Sequence, residues 1–260
     1  MQDAEKAIQT LLEECAAKYK NSAILTTPFT CSDRGSSEKK YTLCYDKRRP
    51  ELKLFAGPDY TFHSWPSVNI HSFDAVVREI KLASKRPPTI DKVGWFGNIH
   101  SALSDVPEYS TRHLLYFIGQ QHKNLFDIVH VYPRPGGIID NQVSTYKSLP
   151  EMLAYKYLID IGGNGWSARL KFILFSKRPL LVVDRHYVDY WYEDLIPYVH
   201  YVPVKMDLSN LLEQTSWMNE NYEECLKMAQ AAYQYAVANF THAKILERVH
   251  RVHHFCKIDI

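Results

Sequence analysis

No uncharged run in this chain approaches the ~18 residues that a membrane-crossing helix needs, and the opening Met-Gln-Asp-Ala-Glu-Lys carries charge where a signal peptide has an apolar core. There is no C-x-x-C pair. Five cysteines lie far apart, and their odd count excludes a complete disulfide framework and fits reduced thiols. Charge of one sign is also missing: 31 Lys and Arg against 29 Asp and Glu leave a formal +2, so nothing asks for nucleic acid as the main partner. Internal repeats and low-complexity tracts are absent as well. These absences predict a soluble, cytoplasmic chain without a membrane span.

What is present is a globular pattern. The 260 residues are 46% hydrophobic, enough for one large domain or two ordinary ones. Ala4, Ile8, Leu11, Leu12, Cys15 and Tyr19 share one face of a helix over 3–20. Strand-like runs follow at Ser22–Pro28, Tyr41–Tyr45, Glu51–Ala56 and Tyr60–Trp65, then helical spacing at Phe73–Ala83. Pro87 and Pro88 break that helix and predict a domain boundary. Beyond it, Val93–Phe96, Asp127–Tyr132, Tyr157–Ile161, Leu180–Val183 and Tyr198–Val204 alternate with helical segments, the signature of a mainly parallel sheet. Leu208–Trp217, Tyr222–Phe240 and Ala243–Phe255 read as helices. The expected division is 1–86, 90–240 and a terminal helix over 241–260 that packs back on the first domain.

One turn carries chemistry. Gly163, Gly165 and Ala168 fit the G-x-G-x-x-G/A phosphate fingerprint after a strand, and Asp184 ends the next apolar run where a dinucleotide site has its ribose-binding acid. Read alone, that is an NAD site. Yet the fingerprint belongs to the first βα turn of its domain, and here two strand candidates precede it. Arg169, in the first helical turn, adds a guanidinium that can fork onto a diphosphate. Gly94-Trp-Phe-Gly-Asn-Ile-His-Ser101 offers a second cradle of amides and a hydroxyl.

Lys156-Tyr-Leu-Ile-Asp, Gly165-Trp-Ser-Ala-Arg-Leu-Lys171 and above all Tyr192-Glu-Asp-Leu-Ile-Pro-Tyr-Val-His-Tyr-Val-Pro-Val-Lys-Met-Asp-Leu-Ser-Asn210 resemble the CAP10-like glycosyltransferases of family 90. That family includes protein O-glucosyltransferases and compact members of large algal viruses. The resemblance covers about two thirds of the chain. It implies an α/β, GT-B-like fold with two Rossmann-type domains facing a cleft, a UDP-sugar donor, inversion at the anomeric carbon, and no cofactor or essential metal. It implies donor-binding roles for Gly97, Ser101, Arg112, Gly163, Gly165, Arg169, Tyr201, Val202 and Asp207. Xylose is favoured as the transferred sugar, glucose next, with a glycan or glycoprotein hydroxyl as acceptor and, in a viral setting, the host cytoplasm as the site of action.

An inverting transfer needs a base for the acceptor proton. The family's aspartate before Trp/Tyr-Pro aligns with Ser64 in His63-Ser-Trp-Pro66, and a serine hydroxyl is too weak to replace it. Asp74 is the nearest carboxylate and is expected to be catalytic, with His71 and His63 as rivals, although Ser72 or Asp74 would equally make an N-cap. His250, His253 and His254 share a helix face without a carboxylate or cysteine pattern to complete a metal site. No D-x-D pair exists to anchor manganese. The alternatives are an NAD-dependent oxidoreductase and a non-catalytic UDP-sugar-binding protein.

Overall fold

The computed structural model describes residues 2–66, 70–99, 107–131, 138–139, 142–143 and 145–258. The chain opens with α1 (Gln2–Tyr19), whose buried stripe of Ala4, Ala7, Ile8, Leu11, Leu12 and Cys15 follows the helical period expected of it. Next come β1 (Tyr45–Asp46), α2 (Phe73–Ala83), β2 (Ile90–Gly97), α3 (Pro107–Gln121), β3 (Phe126–His130), β4 (Ile138–Ile139) and β5 (Gln142–Val143). They are followed by α4 (Leu149–Met152), β6 (Tyr155–Asp160), α5 (Leu170–Ile173), β7 (Leu180–Val183), β8 (Tyr187–Val188) and β9 (Val202–Val204). Three helices close the chain: α6 (Leu211–Glu220), α7 (Tyr222–Asn239) and α8 (His242–Lys257).

Five strands form one parallel sheet in the order β3-β2-β6-β7-β9. Numbered within the sheet this is 2-1-3-4-5, the doubly wound, Rossmann-type order whose direction of winding reverses between β2 and β6. Side chains alternate between two apolar layers, as strands buried on both faces require. Val93, Trp95, Tyr157, Ile159, Leu181 and Val183 pack with Leu211, Met218 and Met228 of α6 and α7. Phe96, Tyr155, Leu158, Leu180 and Val182 belong to the other layer, with α1, α2, α5 and α8. The α/β class is present in this parallel Rossmann-type sheet and its covering helices, and among the described residues there is one such sheet where a GT-B-like chain is expected to have two.

The first segment is built differently from its strand-like pattern. Ser22–Thr26, Pro50–Phe55 and Tyr60–Phe62 are 3-10 helices. The reason is local: Asn21 and Asp59 accept from the amides of Ala23 and Thr61, and Pro50 starts the second helix, so short-range bonds outcompete a ladder. Tyr41–Tyr45 keeps some extended character, bridging Phe29 and Ala56 before β1 pairs with β8. Among the described residues of this segment there is no parallel sheet. It docks on the Rossmann-type sheet through side chains instead: Phe73 of α2 lies 5.2 Å from Phe172 of α5, inside one apolar cluster that continues across Pro87 and Pro88. The helix α8 lies on α1, where Cys15 Sγ donates to the Leu246 carbonyl at 3.4 Å.

Candidate functional site

Ligands of doubly wound sheets bind beyond the carboxyl ends of the strands where the winding reverses. Here β2 ends there at Gly97 and β6 runs there into Gly162–Trp166. Gly162 has φ 70°, open to glycine without strain, and its carbonyl accepts from Nε of Arg112 at 3.1 Å and again from Nη2. Arg112 Nη1 also donates to the Asn98 carbonyl at 2.9 Å. The guanidinium carbons of Arg112 and Arg169 lie 5.6 and 6.0 Å from the centroid of the Trp95 ring, so one indole carries two cations.

The two cations are not equivalent. Arg112 is satisfied by carbonyls, whereas the Arg169 guanidinium forms no hydrogen bond or ion pair with a described residue. Burial holds its pKa below the usual arginine value, with Asp160 pulling the other way. A partly buried cation without a direct ion pair is unfavourable, and a second guanidinium on the same indole makes it more so.

Behind the turn, buried polar pairs fix its shape. Asp160, at the end of β6, accepts from Ser167 Oγ at 2.7 Å and pairs with Arg185 at 2.6 Å, both partners 3% exposed. Ser167 Oγ in turn accepts from the Leu170 amide at 3.2 Å and starts α5. One turn further, Lys171 Nζ lies 2.6 Å from Asp59, both side chains 0% exposed, which ties α5 to the first segment. Asp189 is buried near both pairs, and burial pushes its carboxyl well above the ordinary range.

The glycines do different work from the fingerprint's. A Cβ on Gly97 would lie 2.6 Å from the Trp95 ring, so that glycine makes room for the indole beside the arginines. Gly163 donates its amide to the Trp166 carbonyl at 2.9 Å and so is not free for phosphate. At Gly165 a Cβ would lie 1.7 Å from the Asp33 carbonyl, which makes it the seat of the first segment.

Other expected residues scatter. Asp207 is exposed and accepts from the Ser209 amide at 3.0 Å, and its loop joins α3 through Thr111 Oγ1, which donates to the Met206 carbonyl at 3.2 Å, next to Arg112. Tyr201 is buried, and the Val202 side chain lies in the sheet core. Ser101 lies outside the described residues. Asp74 and His71 are exposed at the start of α2. Ser72 is the N-cap, accepting from Ala75 at 3.2 Å, which turns Phe73, Val76, Val77 and Ile80 inward and Asp74 outward. Asp74 then lines a groove of about 510 Å³ with Arg78, Lys81, Lys85, Lys177 and Tyr233, and neither arginine of the Trp95 site borders it. The structure does not bring Asp74 to the Gly162–Trp166 turn.

Asp184, the acid an NAD site would use, pairs with Lys47 and accepts from its neighbour's amide at 2.9 Å. His253 meets Thr27 Oγ1 at 2.7 Å and His250 stacks on Tyr19 at 4.1 Å, so two of the three terminal histidines hold α8 to the first segment. Trp191 is buried against Phe240. Sequence reasoning missed Trp95, whose only signal is its place in Gly94-Trp-Phe-Gly, and Asp33, discussed below.

The model for glycosyl transferase family 90 matches residues 42–253. The chain belongs to this family. Its Arg112, Arg169 and Gly162–Trp166 all lie within the matched region. Zebrafish protein O-glucosyltransferase 2 is 36% identical over 86 residues, 33% of this chain and 17% of that protein. The uncharacterized protein 035R of invertebrate iridescent virus 3 is 36% identical over 97 residues, 36% of this chain and 9% of its own length. The chain therefore spans less than a fifth of these curated relatives. Anabaena HepE, solved in complex with UDP-glucose, is a loose structural likeness: 13% identity over 78% of this chain and 50% of that one, TM-score 0.39. Among the described residues no helix is long and apolar enough to cross a membrane.

Proposed function

We infer that this family 90 member transfers a sugar from a UDP-sugar to a hydroxyl of a glycan or glycoprotein, with inversion at the anomeric carbon. The observation that carries the reading is the partly buried Arg169, without a hydrogen bond or ion pair to a described residue, which shares the Trp95 indole with Arg112 at the switch point of the sheet. Two guanidiniums there suit a diphosphate, whose charge grows as the sugar–oxygen bond breaks, and they supply the stabilisation that a metal gives in other transferases. Family membership points to the nucleotide sugar; xylose is the first donor to test and glucose the second. The NAD alternative loses its ribose acid, because Asp184 is engaged by Lys47.

Calorimetry with UDP and NADH, together with UDP release from UDP-xylose and UDP-glucose, tests the reading. UDP should bind, and Arg169→Ala should weaken it about 10- to 150-fold, the equivalent of a lost charge-assisted hydrogen bond of about 1.5–3 kcal/mol. NADH binding without UDP binding, or unchanged UDP affinity in Arg169→Ala, refutes it.

A further inference from the structure

The first segment reaches the donor turn through a tight turn of its own, Ser32–Gly35. The Gly35 amide donates to the Ser32 carbonyl at 3.3 Å. Gly35 has φ 70°, and a Cβ there would lie 2.4 Å from the Cys44 carbonyl. The Asp33 carbonyl accepts from Cys44 Sγ at 3.3 Å and from the Trp166 amide at 3.4 Å, over the space that Gly165 leaves open. Two glycines, one on each side, thus let these turns meet. The Asp33 side chain is half-buried at that junction, and Asn164, between Gly163 and Gly165, hydrogen-bonds its carboxyl.

Other carboxylates around the turn are committed or enclosed. Asp160 is paired with Arg185, Asp59 with Lys171 and Asp184 with Lys47, Asp189 is 3% exposed near these pairs, Asp207 accepts from the Ser209 amide, and Asp74 opens on another groove. Asp33 has no ion-pair partner among the described residues and keeps access to solvent. Asn164 stands on the turn whose first carbonyl holds Arg112, so Asp33 and Arg112 bear on the same five-residue turn.

We propose that Asp33 is the general base of the transfer, presented to the acceptor hydroxyl by the docking of Ser32–Gly35 on Asn164 and Gly165. The proposal rests on the UDP-sugar reading above. The Asp33 carboxylate takes the acceptor proton as the acceptor oxygen bonds to the anomeric carbon. The bond from that carbon to the β-phosphate oxygen breaks with its electron pair on UDP, and the proton passes from Asp33 to solvent. Burial raises the Asp33 pKa above the ordinary aspartate value, with Asn164 and Arg34 opposing, and a less acidic carboxylate is the better base at neutral pH.

Turnover is read as UDP release from UDP-xylose and UDP-glucose into water and into excess free monosaccharide, over a range of pH, beside UDP affinity by calorimetry. Asp33→Asn should lower kcat by about 10²- to 10⁴-fold, leave UDP affinity within about twofold, and abolish the acid limb of the kcat profile. Asp33→Glu should recover part of the rate, which a purely structural role would not explain. Undiminished kcat in Asp33→Asn, or transfer lost in Asp74→Asn and kept in Asp33→Asn, overturns the proposal alone. UDP binding by the wild-type protein without release overturns it in favour of a non-catalytic binder. No UDP binding at all overturns the donor reading and this proposal together.

Discussion

Gly165→Ala separates two uses of the fingerprint glycines. If Gly165 serves a phosphate, the variant should lose UDP affinity; if it seats the Asp33 turn, it should lose turnover and stability instead. The added Cβ would lie 1.7 Å from the Asp33 carbonyl oxygen, so the Ser32–Gly35 backbone must retreat by about 1.5 Å or more to reach ordinary contact. That retreat breaks the Trp166 and Cys44 bonds to the Asp33 carbonyl and carries the carboxyl away from Asn164. Overpacking of this kind destabilises by about 1–3 kcal/mol, a fall in Tm of about 2–12 °C for a chain of this size. The kcat of UDP release should fall at least about 100-fold, since a displacement of ~1 Å at a reacting group has that effect. Gly163→Ala is the control: its Cβ would meet the Trp166 carbonyl at 3.0 Å and Arg112 Nη2 at 3.7 Å, which a small shift relieves. Differential scanning calorimetry, UDP titration and initial rates on both variants decide it. Wild-type Tm and kcat in Gly165→Ala, or a loss of UDP affinity matching that of Arg169→Ala without a change in Tm, refutes the reasoning.

Lys171→Met leaves the fully buried Asp59 carboxylate without its cation and should destabilise by about 3–5 kcal/mol, measured by urea unfolding; a loss under about 1 kcal/mol contradicts the pairing. Asp184→Asn removes only a half-exposed pair with Lys47, so stability should change by no more than about 1 kcal/mol and UDP affinity should hold in calorimetry. Asp33→Asn should also be more stable than the wild type at neutral pH. Because the folded-state pKa of Asp33 is raised, the folded protein holds a proton that the unfolded chain releases between about pH 3.9 and that value, so stability falls as pH rises through this window. Asparagine removes that penalty, and Tm against pH should show it.

The sheet was legible because its strands are short apolar runs between helical segments. Leu180–Val183 has the same bounds in pattern and structure, and β6 differs by two residues at its start and one at its end. Residues 22–26, 50–55 and 60–62 form 3-10 turns where the pattern suggests strands, because aromatic and β-branched composition is shared by strands and by buried 3-10 turns. What decides between them is a side-chain cap such as Asn21 or Asp59, which a propensity argument does not weigh. At the site, Arg169 announced itself by its place after a glycine turn. Trp95 did not, since an indole inside an apolar strand reads as core until two guanidiniums are found against it. Asp33 was silent for another reason: it is 131 positions from Asn164, and only the folded chain brings two glycine-containing turns together.

That junction explains why one short segment holds so many constraints. The Gly162 carbonyl faces the arginine on α3, while Gly165 and the Asn164 side chain face the first segment. On the proposed reading, the donor's charge and the acceptor's base would both be positioned by this five-residue turn, itself anchored by Asp160–Arg185 and Lys171–Asp59. The glycine turn here is a joint between α3 and the first segment, and on the proposed reading phosphate binding falls to the arginines, Arg112 held by the Gly162 carbonyl and Arg169 placed at the cap of α5.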